Sequence, residues 1–298
     1  MAGMDRNVVS DGGAPTGVLY LLGTPIGNLE DITLRALRVL RKVDLLACED
    51  TRQTQKLLNH FELATKTISY HEHNEMTRAP ELVLQMEQGA RIALVTDAGM
   101  PCVSDPGYRL VHLCVRHHIR VVPVPGASAV IAAIAASGLP PHAFHFAGFL
   151  PPKAGARQRA LEELVDVPGT LVLFESPHRI LELLTAVEQV LGDRPVVVAR
   201  ELTKLHEEFL RGRCSELRVK LEDREKVQGE ITLLIGESDE PSSSEALAQA
   251  AQTPLVDRVH ALVEGEGLSR MDALKRAARE RGISKSQAWR EYETAVSD

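Results

Sequence analysis

The side chains able to do chemistry in this sequence collect at turns rich in glycine and proline. The stretch DAGMPCVSDPG (97–107) sets two carboxylates, two glycines and two prolines directly after an apolar run. A long ordered loop at the carboxyl end of a strand is where open α/β sheets bind ligands. Asp97 can there accept from a ligand amine or cap a turn. GTPIGN (23–28) also joins a strand to a helix, where glycines let a ligand approach the backbone and free helix amides receive an anion. It is neither G-x-x-x-x-G-K-[ST] nor G-x-G-x-x-G, so phosphate chemistry finds no support, and a plain strand-to-helix turn explains it equally well. In PVPGASA (123–129), Ser128 has the place of a nucleophile. Position 130 is Val, however, so G-x-S-x-G is absent, and a helix cap with backbone contact to a ligand is the better reading.

A second set of motifs lies further on: FAGFLPPK (146–153), LFESPHR (173–179) and ARELTKLHEE (199–208). Glu175, Ser176 and His178 follow an apolar run and can face a shared cleft, whereas Arg200, Glu201 and Lys204 read as surface ion pairs. His71-Glu72-His73 places both imidazoles on one face of a strand, but a third ligand is missing and H-E-x-x-H is absent. His117-His118 reads as a helix end, where imidazoles are solvated or offset the dipole. No metal is expected. The four cysteines, Cys48, Cys102, Cys114 and Cys214, show no C-x-x-C spacing and read as reduced thiols of a cytoplasmic protein.

The elements that must position these residues follow from periodicity. GVLYLL (17–22), DLLACE (44–49), ARIALVT (90–96) and IRVVPV (119–124) read as buried strands. Leu34, Leu37, Leu40 and Val43, and then Leu82, Val83 and Met86, recur at helical spacing between them, which predicts parallel β-α-β units. The small-residue helix ASAVIAAIAAS (127–137) closes this half, and Pro140-Pro141 break the chain. The pattern restarts with AFHFAGF (143–149), a polar helix near 155–165, TLVLFES (170–176), a helix near 177–191, PVVVARE (195–201) and GEITLLIGE (229–237). The expected organisation is a disordered leader (1–16), an α/β domain over 17–137, a second over 143–237, a flexible linker (238–253) and a helical tail (254–298). No run of 18 apolar residues exists, so no membrane span is expected.

With 44% hydrophobic and 25% charged residues, the chain has the composition of a soluble globular protein. Aromatics at 4% are too few for a nucleic-acid surface built mainly on stacking. The net charge of −7 conceals a segregated distribution. Residues 268–290 carry seven cations, Arg270, Lys275, Arg276, Arg279, Arg281, Lys285 and Arg290, against Asp272 and Glu280, a local +5 that leaves −12 on the remainder. Helices broken at Gly282 would present that charge to phosphates, with Trp289 able to stack or pack, and a solvated helix face is the plainer alternative. Lys153, Arg157 and Arg159 form a second basic group.

In this order, GTPIGNLEDIT, ACEDTR, HEHNE, DAGMPCVSDPG, PVPGASA, FAGFLPPK, LFESPHR and ARELTKLHEE resemble the tetrapyrrole methylases, the class III methyltransferases dependent on S-adenosylmethionine (SAM). Within that family they are most similar to the group that methylates small-subunit ribosomal RNA. The resemblance runs from Gly17 to Glu237 and extends to the tail. It implies two α/β domains with SAM in the cleft between them, usually in a homodimer, and methylation of a cytidine 2'-hydroxyl in the decoding region of 16S rRNA. By resemblance, Pro25 lies beside SAM, Asp97, Ala98, Gly99 and Met100 line its methionine portion, and Ser128 and Ala129 touch it from a helix start. Glu175, Ser176, Ala199 and Thr232 would flank the adenosine. Porphyrinogen-type members carry G-D-P where this chain has Asp97-Ala98-Gly99, a departure that favours the ribosomal branch. A ribose hydroxyl is a poor nucleophile, and Asp31, Asp50 and His71 are the candidate bases, each equally able to be a cap or turn residue. Methylation of a small tetrapyrrole, and a SAM-binding ribosome assembly factor without catalysis, are the two alternative functions.

Overall fold

The fold is taken from a computed structural model that describes residues 17–238, 254–266, 268–281 and 283–297. The segments read as leader (1–16) and most of the linker (239–253) lie outside the described residues.

The first half holds a five-stranded sheet in the order β3-β2-β4-β1-β5, with every neighbouring pair parallel. Its strands are β1 (Val18–Leu22), β2 (Leu45–Cys48), β3 (Thr67–Ser69), β4 (Arg91–Val95) and β5 (Arg120–Val124). Helices α1 (Leu34–Leu40), α2 (Thr51–His60), α3 (Glu75–Glu87) and α4 (Tyr108–Arg116) cover both faces. Alternation along β4 shows how: Ile92 and Leu94 pack with Leu82 and Met86 of α3 and Leu110 of α4, while Ala93 and Val95 pack with Leu40 of α1 and Leu58 of α2. A strand sandwiched this way must be apolar on both sides, hence the continuous run IALV.

The second sheet has the order β6-β7-β10-β8-β9 and is mixed, with β6 and β7 parallel and the other pairs antiparallel. It comprises β6 (Phe144–Phe149), β7 (Thr170–Glu175), β8 (Pro195–Arg200), β9 (Glu208–Arg213) and β10 (Ile231–Ile235). One face meets α6 (Ala154–Glu162), α7 (Ile180–Leu191) and α8 (Cys214–Glu222) through Leu173, Val198 and Leu233.

The opposite face meets α5 (Ala129–Ser137). The sequence assigns this helix to the first half, yet Val130, Ala133 and Ile134 pack on Val172, Val197 and Leu234 of the second sheet. Its final carbonyls, Ala136 O and Ser137 O, accept from Arg211 of β9 at 2.6 and 2.9 Å, a cation satisfying orphan groups at a helix C-terminus. The helix is thus the spine that joins the halves. A small third unit, α9 (Leu255–Glu266), α10 (Arg270–Glu280) and α11 (Lys285–Ser297), has its own core around Leu262, Leu274 and Tyr292.

Two sequence expectations need correction. His71-Glu72-His73 is a turn ahead of α3, with the rings edge-on at 5.9 Å, because the Asn74 side chain folds back to accept the His71 amide at 2.9 Å. Strands β3 and β9 were not anticipated; one is three residues long, and the other carries charges throughout its length.

Candidate functional site

Adjacent strands β4, β1 and β5 send three loops out of the same sheet edge. The connection from β1 runs toward β2 and that from neighbouring β4 runs the other way to β5, so the two strands form a switch point where a parallel sheet opens a crevice. These loops bind one another closely. Thr24 and Gly99 exchange backbone hydrogen bonds at 2.9 and 3.2 Å, and the Thr24 hydroxyl is 3.2 Å from Thr96 O. Gly23 and Gly126 meet backbone to backbone: a Cβ on Gly23 would lie 2.6 Å from the Gly126 Cα, so neither position has room for a side chain. The loop after β4 is left-handed at Gly99 (φ 81°), Cys102 (φ 72°) and Ser104 (φ 62°).

Facing these loops across the crevice are the end of β7 and the start of β10, paired as Glu175 with Ile231 and Phe174 with Thr232. The two halves enclose a cavity of about 450 Å³, within the range of small-molecule sites. From the first half it is lined by Ala98, Gly99 and Met100, by Asp105 further along that loop, and by Ser128 and Ala129 at the start of α5. From the second half, Glu175, Ser176 and Thr232 contribute, with Phe174 and Phe149 as an aromatic wall. Eight of the eleven residues expected at the cofactor therefore meet on one surface. The other three stand behind it. Pro25 is buried, Ala199 is fully buried in β8 as the register partner of Thr232, and Asp97 turns aside to accept the Asp50 amide at 3.3 Å.

The lining suits an elongated ligand with an apolar body and charged ends. Ser128 caps α5 by accepting from the Ile131 amide at 3.4 Å, so the first amides of the helix open onto the cavity, an arrangement that favours a carboxylate. Glu175 is 2% exposed; one oxygen accepts the Ser176 amide at 2.7 Å, and the other, 3.1 Å from the Arg179 guanidinium, is not aligned to accept from it. That second oxygen is left for a ligand hydroxyl or amine.

None of the three candidate bases lines the cavity. Asp31 is exposed at the end of a short 3₁₀ turn. Asp50 caps α2 and is bound by the Arg52 guanidinium at 2.7 Å and then by the Arg52 amide at 2.8 Å, which hold the carboxyl down at about 2. His71 sits in the turn described above. Sequence reading passed over Asp105 as a base. It stands one residue after Ser104 in a motif already singled out, but its surroundings are tertiary: burial pushes its carboxyl up to about 6, the charge of Glu49 adds to the push, the Thr96 hydroxyl draws it back, and Asp97 adds a little more.

Of the basic residues, Lys153 and Arg159 are exposed on α6 and its cap. Arg157 is a correction. Its side chain is 5% exposed, pairs with Glu182 at 3.0 Å and donates to Pro152 O, so it ties α6 to α7 and offers no surface to a partner. In the third unit Arg270, Lys275, Arg276, Lys285 and Arg290 are exposed and Trp289 is 39% exposed; the side chain of Arg279 lies outside the described residues. No helix among the described residues is long and apolar enough to cross a membrane.

Residues 18–218 match the family described as tetrapyrrole (corrin/porphyrin) methylases. Relatives over nearly the whole length carry the name ribosomal RNA small subunit methyltransferase I. One from Halalkalibacterium halodurans is 45% identical, covering 93% of this chain and 94% of its own, and one from Bacillus subtilis is 39% identical over 96% and 98%. The chain belongs to this family. Methyl transfer from SAM is the activity that comes with membership. Among solved structures, cobalt precorrin-4 methyltransferase superposes with a TM-score of 0.55 at 20% identity, covering 73% of this chain and 94% of its own. Uroporphyrin-III C-methyltransferase from Thermus thermophilus superposes at 0.52 and 21% identity, covering 74% and 94%. At that identity the likeness is one of fold.

Proposed function

We propose that this methyltransferase modifies the 2'-hydroxyl of a cytidine in the decoding region of 16S rRNA, in the cytoplasm and as a homodimer. The observation that carries the reading is the cavity between the halves, with the start of α5 at one wall and Glu175 at the other. SAM supplies an electrophilic methyl group carried on a sulfonium. In this reading the amides opening α5, with Ser128 and Ala129, hold the amino-acid carboxylate. Ala98, Gly99 and Met100 flank the methyl group and its sulfur. Glu175, Ser176 and Thr232 receive the adenosine, while Pro25, Asp97 and Ala199 support the lining from behind. The protein's task is then alignment, since an in-line displacement demands that the attacking oxygen, carbon and sulfur be collinear. The relatives' shared name supports ribosomal RNA as acceptor. So do the exposed cations of the third unit, joined by Lys153 and Arg159 on the second half.

Tritiated methyl transfer to small subunits from cells lacking the modification tests the proposal, followed by mapping of the labelled nucleotide. Label on a cytidine ribose is the expected result. Uptake of SAM without transfer would favour an assembly factor. A tetrapyrrole acceptor would gain ground if deletion of 254–298 left transfer to a porphyrinogen intact and no RNA were labelled. Sedimentation of the pure protein reads the dimer.

A further inference from the structure

We propose that Asp105 is the general base that removes the proton of the acceptor hydroxyl, an assignment that rests on the methyl-transfer reading above. Among the described lining residues there is no His, Lys, Cys or Tyr. A side chain able to accept a proton at the reacting atoms must therefore be one of three carboxylates, Asp105, Glu175 and Glu230. One oxygen of Glu175 accepts the Ser176 amide and the other stands 3.1 Å from Arg179, on the wall assigned above to the adenosine and away from the methyl group. Glu230 is exposed and paired with Lys204 at 3.0 Å. Asp105 is partly buried, lies near the Thr96 hydroxyl, and shares its loop with Met100 and Gly99.

The charges around Asp105 all push one way. Glu49 follows β2 and Asp97 follows β4, and each raises the carboxyl. Glu175 and Glu230 form the facing wall. No cation is among the groups acting on Asp105. A carboxyl raised to about 6 is still ionised at neutral pH and accepts a proton more readily than an ordinary one, which is the compromise general-base catalysis needs. In the step, the O–H bond of the ribose breaks with its proton passing to Asp105. The oxygen bonds to the methyl carbon as the carbon–sulfur bond breaks, and that electron pair stays on sulfur. The sulfonium and carboxylate charges vanish together, and Asp105 afterwards loses its proton to water.

The test compares wild type with Asp105→Asn and Asp105→Glu in single-turnover transfer to unmodified small subunits across pH 5–8, beside calorimetry of SAM binding. The wild-type rate should rise with pH and flatten once the carboxyl is ionised, with a bend at or below 6 because the sulfonium favours the carboxylate. Asp105→Asn should lose roughly 10²–10⁴-fold in rate and lose the bend, while its affinity for SAM stays within about threefold of wild type, under 1 kcal/mol. Asp105→Glu, keeping a carboxylate at altered reach, should recover part of the rate. Carbon-13 titration of the carboxyl groups gives a readout independent of turnover: a resonance with a midpoint near 6 should be present in wild type and missing in Asp105→Asn. The assignment is overturned if the Asn variant retains the wild-type rate, if rate and SAM affinity fall together, or if no carboxyl titrates near 6. Wild type that binds SAM but labels no RNA would instead sink the functional reading, and the base with it.

Discussion

The two sheets contribute to the crevice in different ways. In the first, all strands run in one direction, so β4, β1 and β5 deliver three consecutive loops to the same edge, and the variable chemistry sits there. In the second, antiparallel pairing brings the end of β7 against the start of β10, so Glu175 and Thr232 stand on hydrogen-bonded strands. One half offers loops and the other a fixed wall. Reactive groups belong on the first kind of surface and shape on the second.

Core substitutions probe that contrast most strongly. Leu94→Ala in β4 and Leu233→Ala in β10 each remove a fully buried side chain and should each cost about 2–5 kcal/mol. Because α5 packs across the join, both should shift a single urea transition followed by circular dichroism; two separated transitions would break the picture of one spine holding both halves. Next in size, Gly126→Ala forces a methyl group onto the Gly23 backbone and should cost about 1–3 kcal/mol, with weakened SAM binding by calorimetry. Gly155→Ala, in α6 with open space around it, should be neutral or slightly stabilising.

Two carboxylates shifted in opposite directions sharpen the comparison through pH. Asp105 in the first half holds its proton more tightly when folded, so its ionisation opposes folding, and the deficit grows as pH rises from about 4 through about 6. Asp105→Asn should therefore stabilise the protein at pH 7–8 by about 1–2 kcal/mol and leave it unchanged below pH 4. Glu208 of β9 is held down at about 2 by Arg224 and then by Arg200. Its stabilisation is full above about pH 4.3 and is lost as pH falls toward 2. Glu208→Gln should cost about 1 kcal/mol at neutral pH, the exposed part of the pair being screened, and should flatten the acid limb of a melting-temperature profile. The smallest effect is expected in the third unit. Lys285→Ala should leave stability unchanged and reduce the salt dependence of RNA binding by about one unit of slope.

Eight strands were legible because each is an apolar run ended by a turn, and the loops were legible because glycine and proline punctuate them. What the sequence hides is long-range. Nothing local in LFESPHR reveals that Glu175 is sealed from solvent, and nothing near Arg157 announces Glu182, 25 residues away. Asp105 owes its raised affinity for a proton to burial and to Glu49, which reaches it from another strand. Strand β9 escaped notice because Glu208, Arg211 and Arg213 interrupt its apolar residues, and its pairing is set by β8.

The left-handed residues of the β4 loop carry one more consequence. Cys102 and Ser104 are not glycine, and such backbone costs on the order of 1–3 kcal/mol at each position and persists only where the surroundings impose it. The rest of the fold must offset that cost, and the Thr24–Gly99 backbone pair at the head of the loop is one of its means. A loop held in this way has few alternative shapes open to it, so what it gives the crevice is fixed geometry rather than adaptability.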